Sequence, residues 1–416
     1  MKNALAPVAT LLVGVSILLA GLGLQGTLLP VRASLELFST FSIGVIGAAY
    51  FLGFTLGCLK GGELVKNVGH VRVFLAMTAL ASAAPLIHGM VLDPIAWSLL
   101  RFLTGFCFAV LFVVIESWLN ERSSNENRGI VFSTYVMIML TVMAAGQMMT
   151  LLYDPIGLEL FLIASVLVSL GAVPVALSKS QTPEQPQEAE VNLRRLFKIS
   201  HAGTLGCLAI GVANGAFWSL APVFTAGVSS NPALAAWFMS STVVGGALAQ
   251  WPLGFLSDRI GRRKTLVGAA ASGAVVAGMI VMSADDLGFV GINLLGAVWG
   301  FFAFPMYAIA VAHANDYADA DDYVMVSSGL LLMFGAGAII GPFLASAVMM
   351  RTGASGLYVL TMLVHASLAV YVLLRIFRRS SAPTDQHIAF SDALATAHTA
   401  SQVYEEEMHY QTEDEA

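Results

Sequence analysis

Long apolar runs of about 20 residues follow one another along the chain, separated by short polar breaks. Within each run the apolar positions are continuous instead of alternating, which predicts helices and not barrel strands. A helix rising 1.5 Å per residue needs about 20 residues to cross a hydrocarbon layer of about 30 Å. Twelve spans are predicted, at 7–30, 39–60, 71–92, 95–119, 128–152, 156–177, 200–225, 233–256, 264–284, 288–313, 323–349 and 354–377. The first run is too long for the apolar part of a signal peptide, and no small-residue cleavage site precedes the second, so it is expected to remain as a helix.

Composition agrees with a membrane protein. Of 416 residues, 57% are hydrophobic and 11% charged, against roughly 25% charged in soluble domains, and the mean hydropathy is +0.79. Lys2, Lys60, Lys66, Arg72, Arg122, Arg128, Lys179, Arg194, Arg195, Lys198, Arg259, Arg262, Arg263, Lys264, Arg375, Arg378 and Arg379 all fall on one side of the twelve spans. Arg32 and Arg351 fall on the other, and Arg101 lies within a span. The positive-inside rule therefore places both termini in the cytoplasm. The net charge of −6 arises in polar cytoplasmic segments and gives no ground for a nucleic-acid partner. Cys58, Cys107 and Cys207 stand on three different spans without metal-ligand spacing and read as packing residues, so no metal or cofactor is expected.

Residues 178–198, SKSQTPEQPQEAEVNLRRLFK, are the one long polar stretch inside the chain and suit a flexible linker with six spans on each side. The two sides repeat one another. Gly62 and Gly69 recur as Gly254 and Gly261, and LLPV at 28–31 as LAPV at 220–223, at a separation of 192 residues. Farther on the separation is 195, joining Asn120 and Glu121 to Asn315 and Asp316, and Gly146 and Gln147 to Gly341 and Pro342. The expected organisation is a six-helix half at 1–177, a linker at 178–198, a second half at 199–379 and an acidic cytoplasmic tail at 380–416. In the tail Phe390, Leu394, Ala397, Ser401, Tyr404 and Met408 keep helical spacing before EEEMHYQTEDEA. A short helix serving a cytoplasmic protein partner competes there with plain disorder.

Three local patterns carry a family resemblance: GFLSDRIGRRK at 254–264, RFLTG at 101–105 and GAGAIIGP at 335–342. Together they resemble the major facilitator superfamily, over the chain up to about residue 379, and ESWLNERSSNENRG at 116–129 is similar to its YcaD-like bacterial branch. The glycine-proline pattern that the superfamily's antiporters usually carry on the fifth helix is here on the eleventh. The resemblance implies an all-α membrane protein with twelve transmembrane helices in two pseudo-symmetric six-helix bundles. It further implies a secondary transporter of the bacterial inner membrane that moves a small organic solute by rocker-switch alternating access.

The same resemblance assigns a cytoplasmic gate. Asp258, in the signature with Arg262, would meet the positive N-terminus of the fifth helix beside Arg128, and Lys66, at the matching position, would meet the eleventh. A lysine at a helix N-terminus is unfavourable, but NDYADADDY at 315–323 brings Asp316, Asp319, Asp321 and Asp322 to that place. Either Lys66 pairs with Asp321 or Asp322 in a charge-swapped latch, or Lys66 is solvated and the aspartates cap the helix. Glu121 and Arg128, spaced as in the superfamily's sugar porters, form a second gate pair. Glu116 either reaches Arg72 or Lys60 or snorkels to the interface.

Within the membrane Arg101 lies about 9 Å into the fourth span at 1.5 Å per residue, with no intramembrane Asp or Glu to pair with. It reads as a contact for an anionic or polar solute or a proton-coupling group, with hydrogen bonding to backbone carbonyls as the structural alternative. By the resemblance, spans 1, 4, 7 and 10 line a cavity. Gln25, Thr27, Asn214, Trp218, Asn293, Trp299 and Tyr307 could there surround a neutral or amphipathic molecule, or equally serve interhelical packing. Proton coupling lacks a carboxylate near the midplane, and His88, His313 and His365 read as packed or interfacial, so facilitated diffusion stays open. The rival function is a non-transporting membrane sensor or scaffold acting through the tail. No phosphate-binding loop, metal cluster or nucleophile-base pattern suggests an enzyme.

Overall fold

Two glycines carry the repeat into the backbone. Gly69 (φ 95°, ψ 146°) and Gly261 (φ 98°, ψ 142°) each close one helix and open the next. Both lie on the positive-φ side, where a Cβ would be strained. The protein's computed structural model describes residues 8–123, 128–177, 192–319 and 322–378. Its spanning helices are α1 (Ala9–Leu35), α2 (Thr40–Val68), α3 (His70–Met90), α4 (Pro94–Glu121), α5 (Arg128–Met148) and α6 (Glu159–Ala176). The second series is α7 (His201–Val228), α8 (Ala233–Ile260), α9 (Arg262–Ser283), α10 (Gly288–Asn315), α11 (Tyr323–Thr352) and α12 (Gly356–Arg378). All 12 are long and apolar enough to cross a membrane, and no strand occurs among the described residues.

Three boundaries differ from the sequence expectation for physical reasons. The polar stretch after residue 60 is not a loop: α2 continues through it to Val68 and only Gly69 is non-helical. Its polar side chains leave the hydrocarbon while its backbone bonds run on, and Lys66 in the last turn suits the negative end of the helix dipole. α1 passes Pro30 and holds Arg32 in its last turn. Arg32 is thus no loop charge: it is buried, 2.8 Å from Glu36, and donates to the Pro155 carbonyl at 3.0 Å. α10 breaks into Gly288–Ala303 and Met306–Asn315 at Pro305, which has no N–H to continue the ladder.

An even number of spans puts the start of α1 and the end of α12 on one face, here the terminal face. A short helix, Leu193–Ile199, lies on that face with Asn192 capping it and Leu196 packed close to Gly329 of α11. Side by side stand α2 and α4, α1 and α6, α7 and α11, α9 and α12, while α2 meets α11 and α5 meets α8 across the repeat.

The apolar core shows how the two series of helices meet. One core holds Leu18, Phe74, Phe108, Leu111 and Val136, all from the first six helices and from their part nearer the terminal face. The other holds the second six helices together with Leu24, Leu28, Ile43, Ile46, Trp97 and Phe161. Those six residues belong to the far ends of α1, α2, α4 and α6. The two series therefore share a core at the face opposite the termini and keep separate cores at the terminal face.

Candidate functional site

Small residues set the seam between the two series, as close helix contacts in a membrane require. A Cβ at Gly44 of α2 would come 2.9 Å from the Pro342 carbonyl oxygen of α11, and one at Gly335 of α11 would overlap Thr55 of α2. Gly47 of α2 receives Ser219 of α7, and the Ser240 hydroxyl of α8 donates to the Ala144 carbonyl of α5 at 2.9 Å. These contacts cluster from the middle of the molecule to the far face.

Arg101 lies beside this seam. Its guanidinium carbon sits 4.1 Å from the centre of the Tyr50 ring on α2. Two glycines bring the helices that close: a Cβ at Gly105 would overlap the Tyr50 carbonyl, and one at Gly53 the Phe102 carbonyl. The arginine of RFLTG is thus held by an aromatic face, and the glycine of the motif makes room for that contact. Its Nη1 is buried without a hydrogen-bond partner among the described residues.

Other buried polar atoms near the seam are likewise unpartnered among the described residues, a condition few native groups show. They include both amide atoms of Gln25 on α1 and of Gln147 on α5, Thr27 Oγ1, Asn214 Oδ1 and Ser219 Oγ on α7, and Tyr307 Oη on α10. A polar solute or water between the halves has donors and acceptors of both kinds available from these helices. Gln147 and Ser219 were not singled out in the sequence, although Gln147 stands in a repeat pair.

The expected cavity residues do not form a single wall. Gln25 and Thr27 are about 200° apart around α1 at about 100° per residue, and the position that faces open space between them is Gly26. Trp218 stacks on Phe304, with centroids 5.7 Å apart and planes at 9°. Trp299 is wholly buried in the aromatic core of the second half, against Phe217, Tyr358 and His365. Asn293 is half-buried and its amide donates to the Phe289 carbonyl at 2.7 Å. Tyr307 packs on Phe334 at 4.7 Å.

At the terminal face the charges pair differently from the implied gate. Arg262, the first residue of α9, donates to Asp258 and, at 2.9 Å, to Ser257, and its Nε lies 3.3 Å from Asp316 of α10. Asp258 and Asp316 therefore serve one arginine of their own half. Asp322 lies 2.7 Å from Arg195 of the short helix. Lys66 and Glu121 are exposed. Asp321 and the Arg128 side chain lie outside the described residues.

Glu116 is neither snorkelled nor ion-paired with Arg72 or Lys60. It is 1% exposed, and neither carboxylate oxygen has a hydrogen-bond partner among the described residues. Lys60 bonds instead to Glu63 at 3.0 Å. Glu116 faces the Tyr135 hydroxyl of α5, itself without a hydrogen bond of ordinary geometry, and lies near Cys58 of α2.

Comparison with known proteins agrees with this geometry. The family model of the Major Facilitator Superfamily matches residues 11–230 and again 203–402. The chain is 26% identical over 385 residues to the uncharacterized MFS-type transporter YcaD of Escherichia coli O17:K52:H18 (strain UMN026 / ExPEC), covering 91% of this chain and 97% of that protein. Among solved structures, the nucleoside transporter NupG superposes with a TM-score of 0.77 at 14% identity, covering 90% of this chain and 100% of NupG. A bacterial homolog to the human lysosomal transporter Spinster, in an inward-facing and occupied conformation, gives a TM-score of 0.70 at 15% identity, with 91% and 98% covered. Such identities speak for the fold alone. Doubled family match, twelve spans and repeated glycine turns together make this chain a member of the Major Facilitator Superfamily.

Proposed function

We propose that this protein is a secondary transporter that moves a small organic solute across the bacterial inner membrane by alternating access, with both termini cytoplasmic. The carrying observation is the division of the core: the halves are fused by apolar packing at the far face and keep separate cores at the terminal face. Two bodies joined at one end and separable at the other are what rocking about a central site needs. Arg101, Gln25, Gln147 and Asn214 bind the solute from both halves, with Trp218 and Tyr307 offering aromatic surface. Lys66 and Asp321 form the charge-swapped latch on the cytoplasmic side.

Glu116 supports proton coupling. Its carboxyl group is buried between helices with no ion-pair partner among the described residues, which makes it the proposed proton carrier, reached by water when the cytoplasmic side opens.

A thermal-shift screen of the purified protein against metabolites and drugs, repeated with Arg101→Ala, tests the reading. A solute that raises the Tm of the native protein and not of the variant supports the site; equal shifts in both move it elsewhere. Deletion of residues 380–416 should leave solute flux intact, whereas a scaffold working through the tail would lose its phenotype.

A further inference from the structure

No ion pair joins Arg101 to a carboxylate among the described residues, and its Nη1 is buried without a hydrogen-bond partner there. The two fully buried arginines are matched: Arg32 lies 2.8 Å from Glu36, and Arg262 pairs with Asp258 and Asp316. Glu116 stands too far along α4 to serve Arg101, about 22 Å at 1.5 Å per residue. The Tyr50 ring, 4.1 Å from the guanidinium carbon, attracts the cation without accepting a hydrogen bond from Nη1.

The internal repeat separates this cation from the scaffold that holds it. A Cβ at Gly53 would overlap the Phe102 carbonyl, and one at Gly105 the Tyr50 carbonyl. In the second half a Cβ at Gly245 would overlap the Ala297 carbonyl, and one at Gly300 the Thr242 carbonyl. The two sets correspond residue by residue at the repeat separations of 192 and 195. In that second copy Gly296 stands in place of Arg101 and Thr242 in place of Tyr50, and a Cβ at Gly296 would come 2.6 Å from the Phe238 ring. The close glycine contact thus forms without a cation, so Arg101 and the ring beneath it are additions of the first half.

What Arg101 lacks is an anion. The unpartnered atoms of Gln25, Gln147, Asn214, Ser219 and Tyr307 belong to uncharged amide and hydroxyl groups, which can donate and accept but balance no charge. One cation among neutral groups suits one negative charge. A planar carboxylate matches the guanidinium fork. A phosphate monoester brings up to about two negative charges, and a neutral or cationic solute leaves the arginine uncompensated.

We propose that the transported solute is an organic monocarboxylate, its carboxylate held by Arg101 and its hydrogen-bonding groups by the amides of Gln25, Gln147 and Asn214. This rests on the solute site proposed above and names the charge of what that site takes.

The test uses the full chain purified in neutral detergent and a bacterial metabolite extract split by ion exchange into anionic, neutral and cationic fractions. The Tm is read with each fraction for the native protein and for Arg101→Gln, Arg101→Lys and Asn214→Ala. The compound retained is identified by mass spectrometry and titrated beside its uncharged amide. The anionic fraction should raise the Tm, and the retained compound should carry one carboxylate and bind about 10- to 100-fold more tightly than its amide. Arg101→Gln should lose that preference, and Arg101→Lys, which keeps the charge without the fork, should keep part of it. A retained compound that is neutral, cationic or doubly charged, and whose binding Asn214→Ala weakens, overturns the monocarboxylate and leaves the solute site standing. No rise with any fraction, or rises that neither Arg101→Gln nor Asn214→Ala reduces, overturn the proposal and the site together. Where Arg101→Gln is too unstable to measure, the comparison of acid with amide in the native protein decides by itself, and equal binding of the two overturns the proposal.

Discussion

Arg262 and Asp316 form a pair with the Nε–Oδ2 distance at 3.3 Å and side chains only 4% and 2% exposed, tying the start of α9 to the end of α10. Breaking a buried pair that stands alone costs about 3–5 kcal/mol; Arg262 keeps Asp258 and Ser257 when Asp316 is removed, so the loss should fall below that. Asp316→Asn is expected to lower the Tm clearly, and Asp258→Asn less, because the Asp258 side chain is 42% exposed. Thermal unfolding of the two variants decides this, and a larger loss for Asp258→Asn would reverse the ranking.

The first half has a histidine at the matching place. His70 is buried and its Nε2 lies 3.1 Å from the Ser117 hydroxyl. Ser117→Ala leaves that ring nitrogen without its partner, for about 1–3 kcal/mol of lost stability, while Ser117→Thr keeps the hydroxyl and should lose less. The difference between the two Tm values is the measurement.

Replacement of Tyr50 by leucine removes the aromatic face under Arg101, worth about 0.5–2 kcal/mol, and should weaken the binding of any solute that Arg101 recognises. Tyr50→Phe keeps the face and should bind like the native protein. Titration of a solute found by thermal shift separates the cases, and equal weakening in both variants would transfer the role to the Tyr50 hydroxyl.

Glu116→Gln preserves shape and removes the titratable group. The variant is expected to fold as stably as the native chain, while solute uptake into proteoliposomes loses its dependence on an imposed pH gradient. Uptake that follows the gradient in the variant as it does in the native protein would show that the proton is held elsewhere.

Much of the architecture was legible in the sequence, because apolar length and paired glycines are local signals. Gly69 and Gly261 have nearly the same φ and ψ, as their spacing suggested. Hydropathy misplaced the end of α2, since Lys60 and Glu63, bonded at 3.0 Å, leave the lipid without ending the helix. The surroundings of the candidate site were harder to read. Arg101 rests on an aromatic ring and not on an acid, and nothing marks Tyr50 among 10 tyrosines. Glu116 looked interfacial because it lies near the end of its span; its isolation comes from packing in α2–α5, which no spacing rule encodes. Asp258 and Asp316 were assigned to contacts between helix ends, while a single buried arginine takes both.

The central claim, that the halves must separate at the far face for solute to pass, is tested most directly by tying that face shut. Phe41 of α2 and Phe343 of α11 have ring centroids 6.2 Å apart across the seam. Phe41→Cys and Phe343→Cys, in a chain whose Cys58, Cys107 and Cys207 are replaced by serine, can be joined by a short bis-maleimide. Exchange in proteoliposomes of a solute identified by thermal shift is then measured with and without the link. Rocking predicts that exchange stops in the linked protein and persists in the same double variant left unlinked; full exchange through the linked protein would contradict it.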